Sequence, residues 1–119
     1  MADYAPVYGG NATIKVTLTA GAAITGGQCL VITADNTVSP SGAAATAFVG
    51  VAAEDAASGA PVTVHCGGAV HETASTGAIA AGGAVMADAA GVVKANSGTA
   101  IGIALKAAAG NVCRWLCTA

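Results

Sequence analysis

Residues that could support chemistry lie close together in the middle of the sequence. His65, Cys66, His71 and Glu72 fall within one short stretch, and Asp55 precedes them. Imidazole and thiolate groups are ligands for zinc, and a histidine oriented by a carboxylate can activate a nucleophile. His65 and Cys66, however, are neighbours in a segment that alternates like a strand, so their side chains point to opposite faces. The spacing requires neither a metal site nor a catalytic triad, and we expect no cofactor and no catalytic residue.

Motifs of enzymes and of nucleic-acid-binding proteins are also missing from the sequence. It contains no P-loop, GxGxxG, GxSxG or HExxH pattern, and its Gly-Gly pairs lack the Lys-Ser/Thr that a phosphate cradle needs. The basic residues are scattered rather than gathered into a patch that could contact phosphates: Lys15, Lys94, Lys106 and Arg114. We therefore expect a protein that is not an enzyme and does not bind nucleic acid. The rival hypothesis is a small hydrolase or a metal-dependent enzyme.

The composition favours a small domain that is stabilised by a partner. The chain has 119 residues, enough for one domain with a modest core. Its hydrophobic share of 55% consists mostly of alanine and valine, and aromatic residues make up 3%. Because small side chains bury little apolar area each, we expect an oligomer or a binding partner to add stability.

Targeting and membrane-spanning segments are not expected. The uncharged stretch between Lys15 and Asp35 is interrupted by glycines and divides into two strand-like halves. A spanning helix needs about 20 mainly apolar residues without such an interruption. The first ten residues, MADYAPVYGG, have no basic region followed by an apolar run, as a signal peptide would. We therefore expect synthesis in a cytoplasm and no membrane partner.

The cysteines fit buried, reduced thiols. Cys29, Cys66, Cys113 and Cys117 form no CxxC motif. On a strand, Cys113 and Cys117 share one face but lie about 13 Å apart, since each residue advances the strand by ~3.3 Å. That distance is too long for a disulfide bond, so we expect that these two cysteines do not bridge each other.

Alternating apolar and polar residues predict short β-strands along the whole chain. In the stretch TIKVTLT, residues 13–19, every second residue is apolar. ADNTVSPSG, residues 34–42, is predicted as a loop from its turn-forming residues. No apolar pattern of helical period is long enough to predict a helix. We therefore predict an all-β fold, a small barrel or sandwich of short strands. The predicted strands are 13–19, 28–33, 48–53, 61–66, 69–73, 84–87, 92–95, 101–105 and 112–117.

A diverged internal repeat organises these strands. GAAITGGQCLV, residues 21–31, is matched by GAIAAGGAVMA, residues 77–87, and both centre on a Gly-Gly pair. Gly50 with its flanking apolar residues is matched by Gly102 in the same order along the chain. We predict a pseudo-two-fold β unit whose halves bury a sheet face on each other, because two copies are too few for a solenoid. The half-repeats span about 19–66 and 75–117 within a single β domain, residues 13–119; residues 1–12 are predicted as an extended N-terminal arm.

The few aromatic residues are candidates for contacts. Tyr4 and Tyr8 flank Pro6 in an N-terminal stretch without a core pattern, and they could anchor another surface or belong to a frayed terminus. Phe48 and Trp115 lie in predicted strands, and we interpret them as core or subunit-interface residues. Trp115 is thus retained as a candidate interface residue.

Five segments carry a resemblance to a known family. They are MADYAPVY, VTLTAGAAITGGQCLVIT, VGVAAEDAASGAPVTVHCGGAVHE, GAIAAGGAVMA and GTAIGIALKAAAG. Together, and in this order, they resemble the tailed-bacteriophage capsid decoration proteins, also called cement or head-stabilising proteins. The resemblance covers almost the whole chain.

The resemblance implies a structural virion protein without enzymatic activity. Members of this family bind as homotrimers at local three-fold positions on the outer surface of the expanded icosahedral capsid, where they hold major capsid protein subunits together. The N-terminal segment commonly reaches the capsid or a neighbouring protomer. Carried onto this sequence, that segment is Ala2 to Gly10, with Tyr4, Pro6 and Tyr8 as the expected contacts. The alternative is a tail, baseplate or capsid-surface display module, with Trp115 and Arg114 as candidates for binding sugars.

Overall fold

The computed structural model describes residues 14–43 and 45–118, and in this part of the chain the protein is all-β. Only one short 3-10 turn, Ala89–Gly91, interrupts the series of strands described. No helix among these residues is long and apolar enough to cross a membrane. The all-β prediction is therefore confirmed. The strands are β1 (Lys15–Ala20), β2 (Cys29–Ala34), β3 (Thr37–Pro40), β4 (Phe48–Ala52), β5 (Pro61–His65), β6 (Val70–Ala74), β7 (Ala84–Ala87), β8 (Val93–Ala95), β9 (Gly102–Ala104) and β10 (Val112–Cys117).

The first five strands form a closed barrel in the order β1-β3-β2-β4-β5, with β5 pairing back onto β1. The pair β1–β3 is parallel, whereas the other pairs in the barrel are antiparallel. Alternate apolar residues of these strands point inward and exclude water from the centre. The buried core of the barrel consists of Ala20, Ile24, Leu30, Val38, Ala52, Ala56, Val62 and Val64.

Strand β3 corrects the prediction of a loop over residues 34–42. Asp35 and Asn36 form a tight turn, with Asn36 in the left-handed region at φ 52°, and the chain then returns as β3 beside β2. The turn-forming residues were correctly recognised, but they occupy only the tip of a hairpin. Val38, the one large apolar side chain of β3, is buried inside the barrel and fixes this short strand.

The other five strands form a second sheet in the order β6-β10-β9-β7-β8. Its inner face packs against the outside of the barrel at β2 and β4, where Cys29 and Val51 belong to the second core. Trp115 lies at the centre of this core, and the ring of Phe48 packs edge-on at a centroid distance of 6.5 Å. Strands β2 and β4 therefore carry buried residues on both faces, because one face lines the barrel and the other meets the sheet.

The two halves of the chain repeat the same hydrogen bonds at their Gly-Gly turns. Gly27 N–H donates to the carbonyl of Ala52 at 2.8 Å in the first half. Gly82 N–H donates to the carbonyl of Ala104 at the same distance in the second half. In the first half this bond joins the turn before β2 to the end of β4. In the second half it joins the turn before β7 to the end of β9. The internal repeat in the sequence thus corresponds to a repeated topology.

The central glycines of the two halves have equivalent surroundings. A Cβ atom at Gly50 would overlap the carbonyl oxygen of His65, and one at Gly102 would overlap that of Leu116. Both overlaps involve the backbone of an adjacent strand, which cannot move aside as a flexible side chain can. A side chain at either position is therefore excluded by close backbone approach.

The halves differ in how their sheets end. In the first half β1 and β3 pair and close the barrel, whereas the equivalent strands β6 and β8 meet, among the described residues, at one bridge between Ser75 and Val93. The second sheet is therefore open on that side. The predicted arm, residues 1–12, lies outside the described residues, and the predicted bounds of the half-repeats stay predictions.

Candidate interaction surface

The inward side of β6 and β10 forms an aromatic and polar part of the core. Trp115 is fully buried, and its indole N–H donates to the hydroxyl oxygen of Thr73 at 2.9 Å. The imidazole of His71 lies against the indole, with ring centroids 5.1 Å apart. Trp115 is thus a core residue that offers no exposed surface to another molecule. The hypothesis that Trp115 and Arg114 bind a sugar needs an exposed aromatic ring, which Trp115 does not provide.

The two histidines lie between the barrel and the second sheet. Both are buried, His65 on β5 and His71 on β6. Burial and, to a smaller extent, the nearby charge of His65 together lower the pKa of His71 from 6.5 to about 4. A neutral imidazole at this seam is consistent with packing rather than with exchange of protons with a substrate. In the described residues no three His, Cys, Asp or Glu side chains are arranged to hold a metal ion.

The outward side of β10 and its neighbours carries large apolar side chains. Leu116 lies opposite Val70 of β6 and Ile103 of β9, so that these side chains form a row across three strands. Leu105 follows the end of β9 and Val112 begins β10, and both are exposed. These residues alternate with the buried members of the same strands, which places them on the opposite face. We call Val70, Ile103, Leu105, Val112 and Leu116 the outer apolar face.

One ion pair lies within the outer apolar face. Arg114 is opposite Glu72 in the β6–β10 register, and its Nε donates to a carboxylate oxygen at 3.1 Å. Beside the pair is a shallow cavity of about 170 Å³, which is also lined by Lys106 and Val112. Because the pair is partly exposed, it contributes little to stability.

The outer apolar face is suited to binding another protein rather than to chemistry. Isolated exposed apolar residues are normal on protein surfaces, but a contiguous group marks an interaction site. Three of the exposed large hydrophobic residues, Ile103, Leu105 and Val112, belong to this one face. The sequence contained the signal as alternation in IGIAL and VCRWLC. Since both faces of these strands are apolar, the pattern alone did not tell which side was buried.

The contacts predicted at the N-terminus stay a prediction, and nothing in the described part of the chain relates them to the outer apolar face. Tyr4, Pro6 and Tyr8 lie outside the described residues. The structure therefore adds the outer apolar face to the candidate residues of the sequence.

Comparison with known proteins places the chain in a family. The family model described as phage cement protein matches residues 7–117. None of the curated proteins compared with the chain matches it. Among solved structures, the head fiber gp8.5 N base in bacteriophage phi29 aligns with a TM-score of 0.67 and 15% sequence identity, covering 89% of this chain and 94% of that chain. At this identity the likeness shows a shared fold.

The match to the family model extends over nearly the whole sequence and includes both halves of the repeat. It confirms the resemblance found in the sequence, and it agrees with a structural rather than an enzymatic protein. The chain belongs to the phage cement protein family and is a structural, capsid-associated phage protein.

Proposed function

We propose that this protein decorates the outer surface of an expanded phage capsid and stabilises it by binding between major capsid protein subunits. We further propose that it acts as a homotrimer at local three-fold positions and that it is synthesised in the cytoplasm of the bacterial host. The observation that carries the proposal is the match of the cement-protein family model to residues 7–117. A compact β domain whose described residues form no metal-binding cluster is consistent with this role.

The outer apolar face is the surface that we assign to the capsid. Its exposed side chains would lose contact with water when covered by a capsid subunit. Completing the burial of one Leu or Ile that is somewhat under half exposed contributes about 1 kcal/mol. One such contact is weak, but several copies of the face in a trimer would bind together and gain affinity through avidity.

The N-terminal segment is the second proposed contact. Tyr4, Pro6 and Tyr8 would contact the capsid or a neighbouring protomer, with the segment extended along a sheet edge of its partner. Tyrosine supplies a large contact area at a small cost in conformational entropy, which suits an anchoring role. Deleting Ala2 to Gly10 should therefore weaken capsid binding while the β domain stays folded.

Co-sedimentation with emptied, expanded heads built from the major capsid protein of the same genome tests the proposal. We expect saturable binding and a higher temperature of head rupture. If the protein does not sediment with expanded heads, the decoration role is wrong, and a tail, baseplate or display role takes its place.

A matched pair of variants tests the surface assignment. Ile103 and Ile32 are each 43% exposed, but Ile32 lies on the barrel strand β2, away from the outer apolar face. Ile103→Ser should weaken binding to heads several-fold, whereas Ile32→Ser should leave it unchanged. Equal effects of the two substitutions would show that the outer apolar face is not the contact.

A further inference from the structure

A cleft of about 360 Å³ lies at the open side of the second sheet. One wall is the end of β6, the other is the segment 90–92 before β8, and the Gly-rich turn 25–28 of the first half completes it. The cleft borders the outer apolar face at Glu72, which lines both the cleft and the shallow cavity beside Arg114. Its position in the second half is equivalent to that of the β1–β3 pair, which closes the barrel in the first half.

The first half shows what a closed seam looks like. There Gly21 N–H donates to the carbonyl of Val38 at 2.7 Å, and Thr19 N–H donates to that of Asn36 at 2.9 Å. Only the first of these bonds has a described equivalent in the second half, from Thr76 N–H to the carbonyl of Val93 at 3.0 Å. Before that point β6 and the segment 90–92 diverge, and the cleft lies between them.

The edge of β6 that borders the cleft carries backbone groups suited to pairing. On its other edge β6 pairs with β10, where Ser75 N–H donates to Asn111 and Cys117 N–H donates to Ala69. In an antiparallel pair such bonds recur at every second residue. The N–H groups of Val70 and Ala74 therefore point away from β10 and toward the side of the cleft, while the C=O of Ala74 faces Val93 at the bridge that ends the cleft. A strand edge of this kind accepts an additional extended segment.

The walls of the cleft leave room for a large side chain. Gly26, Gly27, Ala74, Ala90 and Gly91 contribute little side-chain volume to it. The chain has 2 tyrosines, and both belong to the N-terminal segment, at positions 4 and 8. A ring entering between glycines and alanines would bury apolar area that small residues alone cannot supply.

The N-terminal segment of the same chain can reach the cleft. Lys15 at the start of β1 lies opposite His65, and His65 lies opposite Val51. Val51 in turn lies opposite Cys29, which follows the turn 25–28 of the cleft. Lys15 and Cys29 are therefore three strand spacings apart, and at about 4.8 Å for each spacing the distance around the barrel is about 14 Å. The thirteen residues that precede the first described residue span about 43 Å when extended, and Gly9-Gly10 permits a change of direction.

We propose that, in the protein free in solution, residues 2–10 bind in the cleft of their own chain as an extended strand on the edge of β6. Tyr4 or Tyr8 fills the cleft, and the segment closes the second half as β3 closes the first. On a capsid the same residues would exchange this position for contacts with the shell. The inference concerns the free protein, so its failure would leave the proposed capsid function untouched.

Cysteine cross-linking tests the position of the segment. Val7→Cys keeps both tyrosines, Ala74→Cys places a thiol at the cleft, and Cys66→Ser removes the half-buried native thiol. A bifunctional maleimide applied to dilute protein should link Cys residues at 7 and 74 within one chain. Ser58→Cys, in an exposed turn, replaces Ala74→Cys in the control. The neighbouring Gly59 N–H donates to the carbonyl of Ala20, so Ser58 lies beside the end of β1 that is about 17 Å from Lys15 at ~3.3 Å per residue.

Each result of the cross-linking decides the matter. A within-chain link that forms faster than in the control supports the proposal. A link between two chains assigns the cleft to the segment of a second copy and overturns it. A rate equal to that of the control overturns it as well.

Amide hydrogen exchange provides a second measurement without cysteine variants. In the whole protein the Ala74 amide should be protected, and deletion of residues 2–10 should speed its exchange on the order of tenfold or more. The Cys113 amide, on the neighbouring strand, should keep its rate in both proteins. An unchanged rate at Ala74 would contradict docking in the cleft.

Discussion

His71 makes the stability of the protein sensitive to acid. Its side chain is fully buried between the barrel and the second sheet and lies against Trp115. Burial, as the larger cause, and the charge of His65 together lower its pKa from 6.5 to about 4. Protonation of His71 in the native state would therefore place a charge in a core that cannot solvate it.

The sign and size of the effect follow from proton linkage. Below pH 6.5 the unfolded chain binds a proton at His71 more readily than the native protein does, so the free energy of unfolding falls as the pH falls. The contribution is fully present above pH 6.5 and is lost by about pH 4. A pKa lowered from 6.5 to about 4 corresponds to about 3 kcal/mol over this range, of which about 2.5 kcal/mol is lost by pH 4.5. That is a large part of the stability of a small domain.

Urea unfolding of the wild type and of His71→Gln, at pH 7.5 and pH 4.5, measures this contribution. The single tryptophan, Trp115, reports on the core that surrounds His71. The carboxylates titrate in both proteins, so their contribution cancels when the losses of stability between the two pH values are compared. We expect the wild type to lose about 2.5 kcal/mol more than His71→Gln. Equal losses would refute the argument that a buried, neutral His71 sets the acid sensitivity.

Two further predictions concern glycine packing and thiol reactivity. Gly102→Ala should destabilise the protein by about 1–3 kcal/mol in thermal or urea unfolding, because its Cβ would overlap the backbone of Leu116, and Gly50→Ala should behave similarly against His65. Gly42→Ala is the matched control, since no atom lies within 4 Å of its Cβ, and a loss as large as that of Gly102→Ala would contradict the overlap argument. With a maleimide at pH 8, the half-buried Cys66 should react first, and Cys29 should stay unmodified until unfolding, because burial and the nearby Cys117 raise the pKa of the Cys29 thiol to about 12. Rapid labelling that persists in Cys66→Ser would show that another thiol is accessible.

The strands could be predicted from the sequence where one face is apolar and the other is polar. In β1 and β5 the residues alternate in this way, and the predicted segments 13–19 and 61–66 differ from the observed strands by at most two residues at either end. The same reasoning failed at β3, which has only four residues, Thr37–Pro40, and directly follows a turn. The alternation of so short a strand is too brief to outweigh the turn-forming residues around it.

The outer apolar face could not be predicted, for a different physical reason. In VCRWLC of β10 the two faces are both largely apolar, so the periodicity gives the strand but not its orientation. Orientation is decided by the barrel, whose outer surface at Cys29 and Val51 takes up Trp115. Leu116 is left outside as a consequence of that packing. The partners in this contact are far apart in sequence.

The contact between the halves also explains why the second half stays open. Ser41 Oγ donates to the carbonyl of Asp88 at 2.6 Å, and the side-chain amide of Gln28 donates to that of Ala90 at 3.0 Å. Gly91 N–H donates to the carbonyl of Ser41 at 3.3 Å, and a Cβ at Gly91 would lie 2.6 Å from that of Gln28. The backbone before β8 is thus bonded to the first half and drawn away from β6. Because the first half holds this segment away from β6, the second half stays open there, and the cleft beside β6 lies at that opening.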